Sequence, residues 1–320
     1  MSYSILDRLV LSKTFLNLAQ SETVLDLSAI GYVYVDYHSF IQDFSNIDYD
    51  PSLGPLKADI FDSLKNKSTI AKRSVGGGAA NVAVTLSKFG LKTYFIGKSG
   101  DDDDGALARS YFSAHGVRTD KNAEEANSTT DKCLIFVLPD GERRIFGTSD
   151  EHNVLSSKDF EEVPRSRVTY IELSILHLPE ARRALLEFMK KREHEGIIAC
   201  SLVSEGTAHR FSKEINAMLQ AGQIDILFGN ESEMMALENV KERGDLRSSL
   251  STKSGMYVIT QGREGALVLC NNNEDRISPH PPKNVVDTTG AGDQFAAGFI
   301  YGLCKGWDLE WSTPILESVF

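Results

Sequence analysis

From residue 24 onward, short β-branched or aromatic runs alternate with longer segments of helical period. The apolar runs fall at 24–35, 93–97, 168–173, 196–201, 224–228 and 256–260. The helical segments between them are punctuated by glycine and proline. Ala79 to Phe89 stops at Gly90, Leu107 to His115 stops at Gly116, and Pro179 opens a segment closed by Gly196. This alternation predicts a mostly parallel sheet with helices on both faces. One stretch breaks the rhythm: Asp131 to Leu138 and Glu142 to Gly147 are both β-type and flank Pro139-Asp140-Gly141. Such a pair predicts an antiparallel hairpin, which needs no crossover helix.

With the aromatic run at Tyr32, Tyr34, Tyr37 and Phe40, the hairpin predicts a small antiparallel β lid, with segments near 32–52 and 129–149. The four aromatics are assigned equally to the substrate mouth and to packing within the lid. No internal repeat, low-complexity tract or long linker divides the 320 residues, so one α/β domain over 24–320 with a lid is expected rather than two domains. Residues 1–23 mix Asp7, Arg8 and Lys13 with Leu6, Leu9 and Phe15, the pattern of an amphipathic leader helix rather than a targeting signal.

Charge removes whole classes of function. The net charge of −11 argues against a nucleic-acid partner, which calls for a basic stripe. No apolar run approaches the roughly 18 residues of a membrane span. Cys133, Cys200, Cys270 and Cys304 form no C-x-x-C pair, so reduced thiols and a cytoplasmic location are expected. The seven histidines show neither ligand spacing nor a nucleophile partner. An anionic ligand must therefore be held by local dipoles and a few cations.

The segment Asp287-Thr288-Thr289-Gly290-Ala291-Gly292-Asp293 supplies such a dipole, because it runs straight into a helical pattern. The backbone N–H groups of Gly290, Ala291 and Gly292 would converge on a phosphate at the positive end of the helix. Asp293, in the first turn beside that cradle, is placed to accept the proton of an attacking hydroxyl during phosphoryl transfer. The alternative is a capped helix with a glycine turn. Asn230 and Glu233, spaced i, i+3 after a strand, share one helix face at a strand's C-terminal end, or are simply an N-cap and a first-turn acid.

Other readings of the glycine-rich segments fit less well. Gly76-Gly77-Gly78-Ala79-Ala80-Asn81 is a degenerate dinucleotide fingerprint with Asn81 in the third glycine's place, after a run that makes a poor buried strand. Gly97-Lys98-Ser99 lacks the upstream glycine of a phosphate loop, having Lys92 there, and is followed by four aspartates at 101–104. Those aspartates are read as caps and a solvated edge in preference to a metal site.

Four motifs in order, Gly76 to Asn81, Asn230 to Glu233, Thr260 to Gly265 and Asp287 to Asp293, resemble the ribokinase-like (PfkB) family of carbohydrate and nucleoside kinases. The resemblance implies a three-layer α/β/α domain, ATP and Mg²⁺, and Asp293 as base. It makes Asp36, Gly76, Gly77 and Asn81 the substrate-binding set; a carboxylate suits a vicinal diol because both hydroxyls donate to one planar acceptor. It places Asn230, Thr260, Gly262, Gly265 and Thr288 around ATP, and has Glu233 organise Mg²⁺ through water. Arg143, past the hairpin turn, resembles a lid arginine that reaches the transferring phosphate, and equally an exposed strand arginine.

The substrate expected is a small-molecule nucleoside or sugar. The 40 positions from Asp36 to Gly76 resemble the long lid of bacterial adenosine kinase-like members, which puts adenosine first and a free sugar such as ribose or fructose second. Tyr32 stands where adenosine kinases usually have Asn, and Ser174 or Ile175 where they have a base-stacking aromatic. Only 27 residues follow Asp293, fewer than family members use to wall the adenine pocket, which motivates a third reading as a non-catalytic binding protein. A monomer, or a homodimer paired through the lid hairpin, is expected.

Overall fold

The chain's strands fall into two sheets, and the runs at 168–172 and 256–260 are buried at nearly every position, as strands covered on both faces are. A computed structural model describes residues 24–42, 56–120, 123–125, 127–139, 143–148, 153–191, 196–251, 253–279 and 290–307. The expected leader over 1–23 and the lid stretch 43–52 lie outside them. In chain order the strands are β1 (Leu25–Ile30), β2 (Tyr34–Phe40), β3 (Ile70–Gly76), β4 (Thr93–Ile96), β5 (Ser99–Gly100), β6 (Arg118–Thr119), β7 (Glu124–Glu125) and β8 (Lys132–Val137). There follow β9 (Arg143–Gly147), β10 (Ser166–Glu172), β11 (Ile197–Ser201), β12 (Ile226–Asn230), β13 (Met256–Thr260), β14 (Ala266–Cys270) and β15 (Asn273–Ile277). The helices are α1 (Ala58–Asn66), α2 (Gly78–Lys88), α3 (Asp103–Ala114), α4 (Ser157–Glu161), α5 (Pro179–Lys191), α6 (Glu205–Arg210), α7 (Ser212–Gln220), α8 (Glu231–Glu238), α9 (Arg243–Ser251) and α10 (Ala291–Lys305).

The main sheet has the order β15-β14-β13-β12-β11-β10-β1-β4-β6. Seven strands from β13 to β6 run parallel; β14 and β15 extend the sheet antiparallel. Leu27, Ala29, Val168, Tyr170, Met256 and Val258 share one core with α2, α3 and α10. Ile30, Ile171, Tyr257 and Ile259 point the other way, into a second core with α5, α7, α8 and α9. The expected three-layer α/β/α arrangement is therefore present.

The run at 24–35 is not one strand. The chain leaves the main sheet at Gly31, where a Cβ would lie 2.6 Å from Glu172 Oε2, and re-enters as β2 of a second sheet ordered β3-β2-β8-β9. Its β2–β3 and β8–β9 pairs are antiparallel, and β2 runs parallel to β8. β3, a poor strand for a buried sheet, is suited to this one: Ala71, Lys72 and Arg73 are exposed. One lid face packs Val35, Tyr37, Leu134, Phe136 and Phe146 against Phe61 of α1.

The aspartate run fastens this lid to the main domain. Asp102 caps α3 by accepting from Gly105 N at 2.9 Å, as expected of it. Asp104 is buried, and accepts from Tyr37 Oη at 2.7 Å and from Arg73 at 3.1 Å. Lys132 adds an ion pair to Asp102 at 3.3 Å. Among the described residues no group of three or more His, Cys, Asp or Glu side chains is placed to hold a metal. No described helix is long and apolar enough to cross a membrane.

Candidate active site

Parallel strands gather their C-terminal ends on one edge of the sheet, and ligands of open α/β folds bind there. In this protein that edge faces the N-termini of α2, α8 and α10. Gly290, at φ +75°, turns the chain into α10, and Asp293 follows in the first turn. Its Oδ2 accepts from Asn81 Nδ2 of α2 at 2.9 Å. One turn further, Thr85 Oγ1 donates to Gln294 Oε1 at 2.8 Å, a second rung between the same helices. Burial raises the Asp293 pKa above the usual carboxylate value, and the Asn81 hydrogen bond opposes the rise.

A second carboxylate stands beside it. Glu172, the last residue of β10, is buried, accepts from Ala79 N at 3.2 Å and from Ser174 Oγ at 3.1 Å. Burial first, and the Asp293 charge second, push its pKa up to about 7. Sequence reasoning passed over Glu172 while looking for an aromatic in the same stretch. The available signal was a glutamate inside the β-type run at 168–173, since an acid in a buried strand is costly without a role.

Asp36 lies on the lid, third in β2, and not at the end of the first main-sheet strand. It pairs with Ser74 on one side and Cys133 on the other. Gly76 has no room for a side chain, because a Cβ would lie 2.3 Å from Asp36 Oδ2. Gly77 has φ +110°, and a Cβ there would lie 2.3 Å from Tyr32 O. Both glycines are thus dictated by backbone and carboxylate contact. Burial pushes the Asp36 pKa up to about 6, against the Cys133 hydrogen bond and the Lys72 charge.

Three of the four aromatics pack into hydrophobic cores. Tyr37 faces the lid core, while Tyr32 is buried in the second core with Tyr34 at its edge. Tyr32 Oη has no hydrogen-bond partner among the described residues. Phe40 is 69% exposed.

On the other side of Asp293, Asn230 ends β12 in register with Thr260 of β13. Asn230 Oδ1 accepts from Glu233 N at 2.8 Å, and Glu233 Oε2 accepts from Asn230 N at 2.9 Å, a complete capping box. The capping role and a ligand role are compatible: the Asn230 Nδ2 and the second Glu233 oxygen remain. Glu233 is buried, which raises its pKa, and the charges of Glu205 and Asp293 add to the rise. The loop after Thr260 turns through Gly262 at φ +58° and Gly265 at φ +89°, closed by a Gln261 N to Gly265 O bond of 2.8 Å. A Cβ on Gly265 would lie 2.1 Å from Ile277 O of β15.

The structure thus brings together Asp293, Gly290, Ala291, Gly292, Asn81, Gly76, Gly77 and Asp36 near the start of α10, with Asn230, Glu233, Thr260, Gly262 and Gly265 at the ends of β12 and β13. Thr288 and the Arg143 side chain lie outside the described residues.

Residues 46–313 match the family described as pfkB family carbohydrate kinase. The chain is 27% identical over 257 residues to the 5-dehydro-2-deoxygluconokinase of Geobacillus thermodenitrificans, covering 73% of this chain and 74% of the relative. It is 28% identical over 254 residues to the Bacillus subtilis enzyme of the same name, covering 74% and 76%. Among solved structures, the adenosine kinase from Sinorhizobium meliloti superposes with a TM-score of 0.82 at 28% identity, covering 92% of this chain and 91% of the other. A probable sugar kinase from Rhizobium etli gives 0.83 at 25% identity, covering 91% and 90%.

Proposed function

We propose, since the chain belongs to the pfkB family of carbohydrate kinases, that it transfers the γ-phosphoryl group of ATP to a hydroxyl of a sugar, with Asp293 as general base. The observation that carries this reading is the position of Asp293: in the first turn of α10, hydrogen-bonded to the helix that begins at the Gly76-Gly77 turn. A base must reach both the acceptor hydroxyl and the phosphoryl group, and this aspartate lies between the two candidate half-sites.

Asp36, Asn81 and the backbone at Gly76 and Gly77 hold the acceptor's hydroxyls. Asp293 takes the proton of the attacking hydroxyl as its oxygen bonds to phosphorus and the bond to the ADP oxygen breaks. The N–H groups at the start of α10 meet charge on the phosphoryl oxygens, aided by the helix dipole. Asn230, Thr260, Gly262, Gly265 and Thr288 hold the nucleotide, and Arg143 belongs to the lid side of the transferring phosphate. Mg²⁺ bound with ATP would supply neutralising charge; Glu233, with no cage of three acidic ligands about it among the described residues, would hold such an ion through water rather than directly.

The acceptor favoured is a sugar acid of the kind named for the Geobacillus and Bacillus relatives, 5-dehydro-2-deoxygluconate. The stretch from Tyr170 to Ile175 supports it by offering no free aromatic face on which a base could stack: Tyr170 is fully buried. Adenosine is the second reading, favoured by the likeness to the Sinorhizobium enzyme. An ADP-release assay with 5-dehydro-2-deoxygluconate, ribose, fructose and adenosine, with and without Mg²⁺, tests both. Release with the sugars and not with adenosine is expected; release with none supports a non-catalytic binding protein.

A further inference from the structure

The inner face of the lid changes character along its length. Residues i and i+2 of a strand share a face, so Asp36 and His38 of β2 lie on one side, with their partners Ser74 and Lys72 of β3. The Gly76 end of β3 leads into α2 and Asp293, so the order outward from the base is Gly76, then Asp36 with Ser74, then His38 with Lys72. His38 Nε2 lies 3.1 Å from Ser74 Oγ, which ties the two steps together. Lys72 is exposed, makes no ion pair among the described residues, and its charge is felt by the Asp36 carboxyl. A carboxylate acceptor is thus followed, about 7 Å further out, by an ammonium and an imidazole.

We infer that this face selects for charge at the far end of the substrate: Asp36 takes hydroxyls in the middle of the carbon chain, and Lys72 with His38 takes a carboxylate at the end remote from the phosphoryl acceptor. This deepens the sugar-kinase reading and rests on it. The opposite signs matter, because a carboxylate set beside Asp36 alone would be repelled, while one step outward it meets a cation. The spacing lies within the span of a six-carbon acid plus a flexible lysine stem. A neutral sugar or a nucleoside gives Lys72 no counter-charge, so a lid settling over it strips water from the ammonium without recompense.

Lys72→Met tests this, with Lys72→Arg as the charge-preserving control. In the ADP-release assay, Lys72→Met is expected to raise KM for 5-dehydro-2-deoxygluconate by about tenfold or more, the scale of a lost charge-assisted hydrogen bond, with kcat little changed. KM for ribose or fructose should not move, and Lys72→Arg should stay near the parent. His38→Gln should weaken the acid in the same direction by less. An unchanged KM for the acid in Lys72→Met, or equal loss with acid and neutral sugar, overturns the inference. If the parent protein releases ADP with no acceptor, the kinase reading fails separately. Calorimetric titration with 5-dehydro-2-deoxygluconate and with gluconate, without ATP, still decides the point: binding of the acids that Lys72→Met weakens supports the carboxylate site, and failure to bind either acid overturns it.

Discussion

Asn81 and Asp293, 212 positions apart in the chain, meet in one 2.9 Å hydrogen bond between the first turns of α2 and α10. The bond joins the helix that starts at the Gly76-Gly77 turn to the helix that starts at Gly290. With the Thr85–Gln294 rung one turn on, it fixes the two helix starts against each other, and in the proposed phosphoryl transfer positioning of this kind would count for more than any covalent chemistry the protein supplies.

Asp293→Asn keeps the size and a hydrogen-bond acceptor for Asn81 but removes the base. It should fold as the parent does and bind substrate, with kcat lower by at least about a hundredfold. Circular dichroism and single-turnover kinetics check the two halves; near-normal turnover would take Asp293 out of the mechanism.

Asn81→Ala acts on the same carboxylate from the other side. The Asn81 bond is the influence that lowers the Asp293 pKa against burial. Without it the base holds its proton to higher pH, so the acidic limb of the kcat/KM profile should move upward. A limb that stays in place would show that the bond orients Asp293 without tuning it.

Much of this was legible in the chain, and the rest was hidden for identifiable reasons. The glycines at 76, 77, 262, 265 and 290 could be read because each sits where a close approach or a positive φ favours glycine. β13 was read from end to end because both faces are buried and every residue is apolar or β-branched. The split at Gly31 was invisible, since main-sheet and lid strands share the same β-branched and aromatic character and only the contact with Glu172 separates them. β3 was missed because an exposed lid strand carries no buried-strand pattern. Glu172 carries one local sign, an acid within a buried run, but its proximity to Asp293, 121 positions away, is something no local pattern reveals.

Glu172 should make stability depend on pH. Its folded pKa of about 7 lies above the usual 4.5, so the folded state binds the proton more tightly than the unfolded chain. The stabilising effect of that proton is complete below about pH 4.5 and is lost as pH rises through about 7, a difference of roughly 3 kcal/mol. Glu172→Gln, neutral at all pH, should gain stability over the parent at pH 8 and little at pH 4.5. Urea unfolding at both values measures this, and an equal difference at the two values would refute it.

Gly77→Ala forces an L residue to φ +110° and sets a methyl 2.3 Å from Tyr32 O. The backbone term alone costs about 1–3 kcal/mol, and the clash must be relieved by moving the turn that holds the acceptor. A lower urea midpoint together with a raised KM is expected, whereas Gly222→Ala, also at positive φ but with open space around it, should lower stability without touching KM.

Glu233 has one observed role, as a helix cap, and one proposed, at Mg²⁺, and a pair of substitutions separates them. Its Oε2 closes the capping box with Asn230, and its carboxylate lies near enough to Asp293 to feel that charge. Glu233→Gln keeps an oxygen to accept from Asn230 N and loses only the charge, so helix α8 should stay capped and stability should hold within a few tenths of a kcal/mol. Glu233→Ala loses both, and should cost about 1 kcal/mol as a cap while leaving the Asn230 N–H without its acceptor. If the carboxylate organises Mg²⁺ through water, both variants require more Mg²⁺ for half-maximal turnover, and to the same degree, although only one is destabilised. If Glu233 serves the helix alone, the Mg²⁺ requirement of Glu233→Gln matches the parent, and the defect of Glu233→Ala follows its stability. Titrating Mg²⁺ at fixed ATP beside urea unfolding therefore distinguishes the charge from the cap, which the fold alone places in one side chain.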